Sequence, residues 1–358
     1  MKKSLSWEVE KLFFSHHLFF ENLIAGLKAA TFSIDIEVYT FAYDQEGLEI
    51  ATLLKNLSEK GIKVRLMVDG IGSANFIHYY FKEFLNSSVE VRIYHPIRLF
   101  KYWNKRNHRK TYVIDKFNIW AGGMNISQEH LNWRDTGVYV KGLSATSLNA
   151  AFNHCWEQAW YPGLQKISHF KRKWFNKVIL APLRLNTTIL QRRRASKQLR
   201  QKFKEAKKNI WITNAYFVPP RTIIQILINA AKSKIDVCLI LPHKSDFFFN
   251  HLASSALYGK MLKANIRIYE YLPTFLHAKS MIIDDWMMVG SSNFNSRSFI
   301  HDLEVDIILE KKESLTSLQN QFILDCQKGQ KITWEIWRKR PWVNKILGRF
   351  FLLFRYWM

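Results

Sequence analysis

Acidic side chains are scarce in this 358-residue chain: 29 Asp and Glu stand against 53 Lys and Arg, a formal net charge of +24. That imbalance calls for an acidic partner, either nucleic acid or an anionic membrane surface. Cysteine is also rare. Cys155, Cys238 and Cys326 are scattered and odd in number. They exclude a disulfide framework or a cysteine-based metal clip and fit a reducing compartment. No apolar run approaches the roughly 20 residues that a membrane-spanning helix needs. The opening MKKSLSWEVEKLFF has Lys2 and Lys3, but Glu8, Glu10 and Lys11 interrupt any apolar stretch after them. No cleaved signal is therefore expected. Hydrophobic residues, by contrast, make up 48% of the chain, enough for a sizeable core in one large or two smaller domains. Thirteen Trp and 26 Phe accompany the positive charge. Aromatic and basic residues together favour a bilayer interface, although stacking on single-stranded nucleic acid draws on the same types.

One short pattern occurs twice, about half the chain apart. The first copy is His108, Lys110 and Asp115 within NHRKTYVIDKFNIWAGGMN. The second is His277, Lys279 and Asp284 within LHAKSMIIDDWMMVGSSN. Each reads H-x-K-x4-D, then a strand-like run, then a turn of small residues ending in Asn125 or Asn293. Side chains two apart on a strand share a face, so each copy presents an imidazole beside an ammonium. Lysine and asparagine side chains donate hydrogen bonds to phosphate oxygens. An imidazole attacks phosphorus or moves a proton near neutral pH. The pattern therefore predicts one active site for phosphoryl-type transfer, with one histidine from each half. A metal site is not expected, because the lysine beside each histidine repels a cation.

The segments before the two copies run in parallel. Residues 17–30 have helical apolar spacing, 31–43 alternate as a strand, 48–61 form an amphipathic helix closed by Gly61, and 63–70 and 87–96 are strands. In the second half, 207–220, 222–234, 235–246 and 264–273 repeat this order, and RIY precedes both motifs. An internal duplication with a β-α-β rhythm follows. The expected organisation is an N-terminal half over 1–160, an irregular basic linker over 161–200, a C-terminal half over 201–330 and a tail over 331–358. The linker contains KRK at 171–173 and RRR at 192–194. In the tail, Trp334, Trp337, Trp342, Phe350, Phe351, Phe354 and Trp357 alternate with Arg and Lys. A helix of about 17 residues after Pro341, roughly 25 Å long, is short for a span and suits the membrane interface. The competing expectation is a terminal helix packed on the protein's own core.

On these residues the chain resembles the phospholipase D superfamily, whose signature is the paired H-x-K-x4-D motif, and within it the bacterial cardiolipin synthase branch. NHRKTYVID, AGGMNIS and WRDTGVYVKG carry the likeness in the first half. NAYFVPP, LHAKSMIIDD, GSSNFNSRSF and HDLEVD carry it in the second. The resemblance implies an α/β fold: two α-β-α sandwich domains with mixed sheets, related by a pseudo-twofold axis, with both motifs at their interface. It implies a catalytic set of His108, Lys110, Asp115, His277, Lys279 and Asp284, with the two aspartates as structural partners. Lys110, Lys279, Asn125 and Asn293 would hold the phosphate oxygens, and Asp135 and Glu304 would each orient a histidine. Ser127, Ser291 and Ser292 would help to shape the pocket. The implied reaction joins two phosphatidylglycerols into cardiolipin through a phosphatidyl-histidine and needs no cofactor. The implied partners are anionic phospholipid and the membrane surface, with no obligate nucleic acid, at the cytoplasmic face of the bacterial inner membrane. Hydrolysis by a phospholipase D, or another headgroup transfer, would use the same residues. A nuclease of the superfamily would suit the net charge, and a membrane-binding scaffold with a dead site would suit the tail.

Overall fold

The computed structural model describes residues 6–96, 104–142, 144–161 and 182–358. Its first half holds strands β1 (Val9–Phe13), β2 (Ser33–Val38), β3 (Lys63–Asp69), β4 (Glu90–Tyr94), β5 (Thr111–Ile114), β6 (Asn118–Gly122) and β7 (Gly137–Lys141). Between them run helices α1 (His16–Lys28), α2 (Gln45–Glu59), α3 (Ala74–Tyr79) and α4 (Phe81–Leu85), and α5 (Ala145–Gln158) follows β7. The second half holds β8 (Leu183–Leu185), β9 (Asn209–Asn214), β10 (Asp236–Pro242), β11 (Arg267–Tyr271), β12 (Lys279–Ile283), β13 (Trp286–Gly290), β14 (Val305–Leu309) and β15 (Gly329–Lys331). Its helices are α6 (Ile189–Glu205), α7 (Arg221–Lys232), α8 (Phe248–Leu262) and α9 (Lys312–Lys328), and the tail forms α10 (Trp334–Arg338) and α11 (Trp342–Phe351).

The sheets repeat one topology. The first runs β1-β7-β6-β5-β2-β3-β4, and the second, read from its other edge, runs β8-β14-β13-β12-β9-β10-β11-β15. Position for position the orders match, with β15 added at one edge. In each sheet the three βαβ strands are parallel and the motif hairpin joins them antiparallel. One face of the first sheet packs on α1 to α4 through Leu23, Ile36, Leu54 and Phe76, and α6, α7 and α8 cover the corresponding face of the second. The other faces meet. Val113, Ile119 and Val138 of the first sheet share a core with Ile282, Val289 and Val305 of the second, together with Leu148 of α5 and Leu318 of α9. The halves thus bury a common apolar layer, which fixes the two motif hairpins against each other.

Local chemistry explains the elements. β2 is buried along its whole length although it contains Asp35 and Glu37. Asp35 takes a bidentate guanidinium from Arg65 at 2.6 and 2.7 Å, and Glu37 accepts from Asn107 at 2.7 Å, so neither carboxylate is buried alone. α2 begins where Asp44 accepts the Gly47 N–H at 2.9 Å, and Gly61 follows its last turn at φ +90.

Two sequence expectations need correction here. The segment 161–200 is not an irregular linker where it is described. β8 occupies in the second sheet the place β1 holds in the first, and α6 starts at 189 behind a capping box of Thr188 and Gln191. The second half therefore begins about 18 residues earlier than expected, at 183 rather than 201. The signal was masked because α6 buries only Leu199 and Phe203 among its many cations. Residues 162–181, with the KRK run, lie outside the described residues. In the tail, the expected single helix is α11, ten residues long, continued by a 3-10 turn over Leu352–Phe354.

Candidate active site

Two backbone bridges tie the halves together, and each delivers a carboxylate to a histidine. Leu303 donates its N–H to Arg106 O at 2.8 Å, and His108 donates to Leu303 O at 3.0 Å. On the other side Arg134 donates to Phe275 O and His277 donates to Arg134 O, both at 2.9 Å. Glu304 follows Leu303 in the chain, and Asp135 follows Arg134. The result is a crossed pairing. His108 Nδ1 lies 3.1 Å from both oxygens of Glu304, from the second half, and His277 Nδ1 lies 2.6 Å from Asp135 Oδ2, from the first. Each histidine borrows its carboxylate from the opposite half.

The two pairs differ in charge. Burial opposes ionisation of Glu304, but the charge and hydrogen bond of His108, with Lys110 and the Ser291 hydroxyl, bring its pKa below the ordinary value. The hydroxyls of Ser291 and Ser298 both donate to it at 2.5 Å. Asp135 is pushed up by burial, against Lys279 and the Thr136 N–H. Both histidines fall below 6.5, first through burial and then through the lysine of their own motif, and His277 falls further. With Nδ1 directed at a carboxylate, each ring has Nε2 left for the cleft.

Lys110 and Lys279 are almost wholly buried, and each ammonium donates to the carbonyl of its motif histidine, Lys110 at 2.7 Å. Burial lowers their pKa values to about 7 and about 8. Asn125 accepts the Thr40 N–H at 3.1 Å through its side-chain oxygen, which leaves its amide group as a donor. Asn125, Asn293 and both histidines line one cleft of about 890 Å3. Among the described residues no three His, Cys, Asp or Glu side chains form a set that could hold a metal ion.

Asp115 and Asp284 are not in this cleft, and their place in the catalytic set is a correction. They occupy the hairpin turns at the far ends of β5 and β12, with φ of +49 and +52. A strand rises about 3.3 Å per residue, which puts them roughly 20 Å along the chain from their histidines. Asp115 accepts the N–H groups of Thr31, Phe32 and Ser33 at 2.9 to 3.0 Å. Asp284 accepts those of Lys207, Lys208 and Asn209 at 2.8 to 3.0 Å. These hydrogen bonds bring both carboxyls below their ordinary pKa in spite of burial. Each aspartate thus pins its motif hairpin to the start of the central strand, a structural role. Of the serines, Ser127 lines the cleft, Ser291 holds Glu304, and Ser292 donates to Asp306 at 2.8 Å, one place behind.

Tyr39 and His130 lie outside the stretches that carry the resemblance, and Tyr216, Trp133 and Arg109 lie within them without a role of their own having been assigned. Tyr39 lies 5.1 Å from the His108 ring and Tyr216 lies 6.4 Å from that of His277, centroid to centroid. Trp133 at 5.1 Å and His130 at 6.1 Å wall the other side of His277. Arg109, inside the first motif, is fully buried. It donates to Glu304 O at 3.1 Å and pairs with Glu37 at 3.5 Å, which fixes the strand carrying Glu304 against the first motif.

A family described as "Cardiolipin synthase, PLD-like domain" matches residues 23–156 and 199–325, so both motifs fall inside the match. The chain belongs to this family of phospholipase D-like proteins. A cardiolipin synthase of Halalkalibacterium halodurans is 32% identical over 341 residues, covering 92% of this chain and 68% of that protein. One from Geobacillus is 30% identical over 350 residues, covering 90% and 67%. The chain therefore spans about two thirds of the length of these relatives. A solved phosphatidylserine synthase of Haemophilus influenzae superposes with a TM-score of 0.73 at 14% identity, covering 99% of this chain and 96% of that one. At that identity the likeness concerns the fold: the two-domain phospholipase D architecture extends over nearly the whole chain.

Proposed function

We propose that the protein is a phosphatidyltransferase that makes cardiolipin from two phosphatidylglycerols and releases glycerol. The observation that carries the reading is the pair of imidazoles in one cleft, each with Nδ1 on a carboxylate and Nε2 free, beside two buried lysines. One neutral histidine attacks the phosphorus of the first lipid through Nε2. The bond from phosphorus to the headgroup oxygen breaks, and the other histidine, protonated, gives its proton to the departing glycerol. A phosphatidyl-histidine remains. A headgroup hydroxyl of the second lipid then gives its proton to the second histidine and attacks phosphorus. The P–N bond breaks, and both rings return to their starting state. Lys110, Lys279, Asn125 and Asn293 hold the non-bridging oxygens with ammonium charge and amide donors.

The proposed site of action is the cytoplasmic face of a bacterial inner membrane, with the protein bound peripherally. Among the described residues no helix is long and apolar enough to cross a membrane. α11 seats one face on α8 and leaves Trp342, Ile346 and Phe350 half or more exposed on the other, and Leu353 of the turn that follows is about three-quarters exposed. Phe247, Phe248 and Phe249 are each more than half exposed, and Phe249 meets Phe351 edge-on at 4.8 Å. Phe247, Phe249 and Trp357 also line the cleft. The tail thus packs on the protein and still offers an apolar rim, flanked by Lys345 and Arg349, at the mouth of the site.

The deciding experiment is lipid analysis of a cardiolipin-deficient bacterial host expressing the chain. Cardiolipin should return with the wild type and stay absent with His108→Ala or His277→Ala. A host that gains phosphatidic acid in place of cardiolipin would make the protein a hydrolase. For the membrane, Leu353→Ser with Phe354→Ser should lower co-sedimentation with phosphatidylglycerol vesicles about tenfold. Unchanged sedimentation would remove the rim from the reading.

A further inference from the structure

We infer that Asp246, backed by Tyr216, reads the hydroxyl groups of a glycerol headgroup in the cleft, an inference that rests on the phosphatidylglycerol reading above. Asp246 lies between β10 and α8 and lines the cleft, its side chain exposed. The buried Tyr216 hydroxyl donates to it, with both carboxylate oxygens at 2.7 Å. The Tyr216 ring is the one beside His277, and the charge on Asp246 is felt at Lys279. The two oxygens are used differently. Oδ1 also accepts the Phe247 N–H at 3.0 Å and the Ser245 hydroxyl at 3.3 Å, both from its chain neighbours. Among the described residues Oδ2 accepts from the tyrosine hydroxyl alone.

A carboxylate here opposes the function of its neighbours. It weakens the field that draws an anionic phosphodiester to Lys279. These local bonds explain Oδ1 but not a charged group that opens onto the cleft. The arrangement suits a ligand that brings uncharged hydrogen-bond donors, because an ionised carboxylate only accepts and its bonds from hydroxyls are strong. In the proposed reaction a glycerol moiety is bound twice, first as the leaving alcohol and then as part of the incoming one. Each carries at least one hydroxyl beyond the reacting oxygen. An ammonium headgroup would also pair with a carboxylate; the cleft wall carries Arg106 and Arg297, each already paired with a carboxylate of its own, Asp69 and Asp302, so ethanolamine is the competitor that the test must include.

The test is a competition in one vessel. The purified full chain receives phosphatidylglycerol in mixed micelles with deuterated glycerol, ethanol and ethanolamine, and mass spectrometry counts the three transfer products. The wild type should favour glycerol over ethanol. Asp246→Asn, which keeps the size and the acceptor for the Phe247 N–H, should lower the glycerol-to-ethanol ratio by about tenfold or more, a ratio that reads the incoming alcohol alone because all three products share the first step. Tyr216→Phe should lower the ratio less. A ratio unchanged within about twofold would overturn the inference, whether or not total transfer falls, as would selective loss of ethanolamine transfer. A wild type that transfers to no alcohol would instead defeat the phosphatidylglycerol reading, and this inference with it.

Discussion

The two motifs share a strand position, a hairpin and a lysine contact, yet they sit in different surroundings. His108 faces a carboxylate that stays ionised, held by Ser291, Ser298 and the buried Arg109 strand. His277 faces a carboxylate that burial pushes up, and Trp133, Phe275 and Tyr216 pack around its ring. Where the first motif has Arg109, the second has Ala278 in an apolar cluster. Duplication supplied two similar imidazoles, and their neighbours then separated their proton affinities. Two-step transfer needs that separation, because one ring must be neutral while the other is charged.

The sharpest break of this comparison is removal of either ring. His108→Ala and His277→Ala should each cost at least about a thousandfold in cardiolipin formation with the thermal transition unmoved, because neither half works alone. Near-normal turnover in either variant would end the shared-site account. Next come the crossed carboxylates. Glu304→Gln should slow turnover about a hundredfold and move the His108 ring titration further down, since the lost anion supported its protonated form. Asp135→Asn should cost less, because its carboxylate is the less firmly ionised. Equal losses with unmoved titrations, followed by NMR, would erase the asymmetry.

A third effect concerns the lysines. Burial brings them to about 7 and about 8, so both ammoniums are charged at pH 6 and are lost as the pH rises through that range. Bound phosphate favours the charged form, so lipid binding takes up protons there. KM for phosphatidylglycerol should therefore rise by about tenfold or more between pH 6 and pH 9. A flat KM would mean that the lysines do not hold the phosphate. The smallest catalytic effect belongs to the turn aspartates. Asp115→Ala and Asp284→Ala should each lower stability by about 1–3 kcal/mol in denaturant titration and leave kcat within about twofold. A large kcat loss at full stability would return them to the catalytic set.

Much of this was legible in the sequence for a definite reason. The motif residues recur with strand periodicity, so His108 and Lys110 share a face before any fold is known. The order of elements around them repeats as well. What escaped did so for want of a local pattern. β8 has three residues, too few to show alternation, and the apolar stripe of α6 is two residues wide. Tyr39, Tyr216 and His130 are single residues whose importance comes from what the fold sets beside them. The crossed pairing of Asp135 and Glu304 is invisible in one dimension, because each carboxylate is far in sequence from the ring it serves. Asp115 and Asp284 belong to the signature, and the resemblance implied a structural role for them; their left-handed backbone shows the form it takes, as turn residues.

Glycines 259 and 348 carry a last consequence. A side chain at Gly348 would collide with Leu252 O, and one at Gly259 with the Trp337 ring, so α8 receives both tail helices at close range through these two gaps. α8 starts at Phe248, on the lip of the cleft, and the tail that rides on it ends at Trp357 and Met358, in the cleft wall. Lip, helix and tail are thus packed as one continuous unit that runs from the exposed rim to the wall of the chamber.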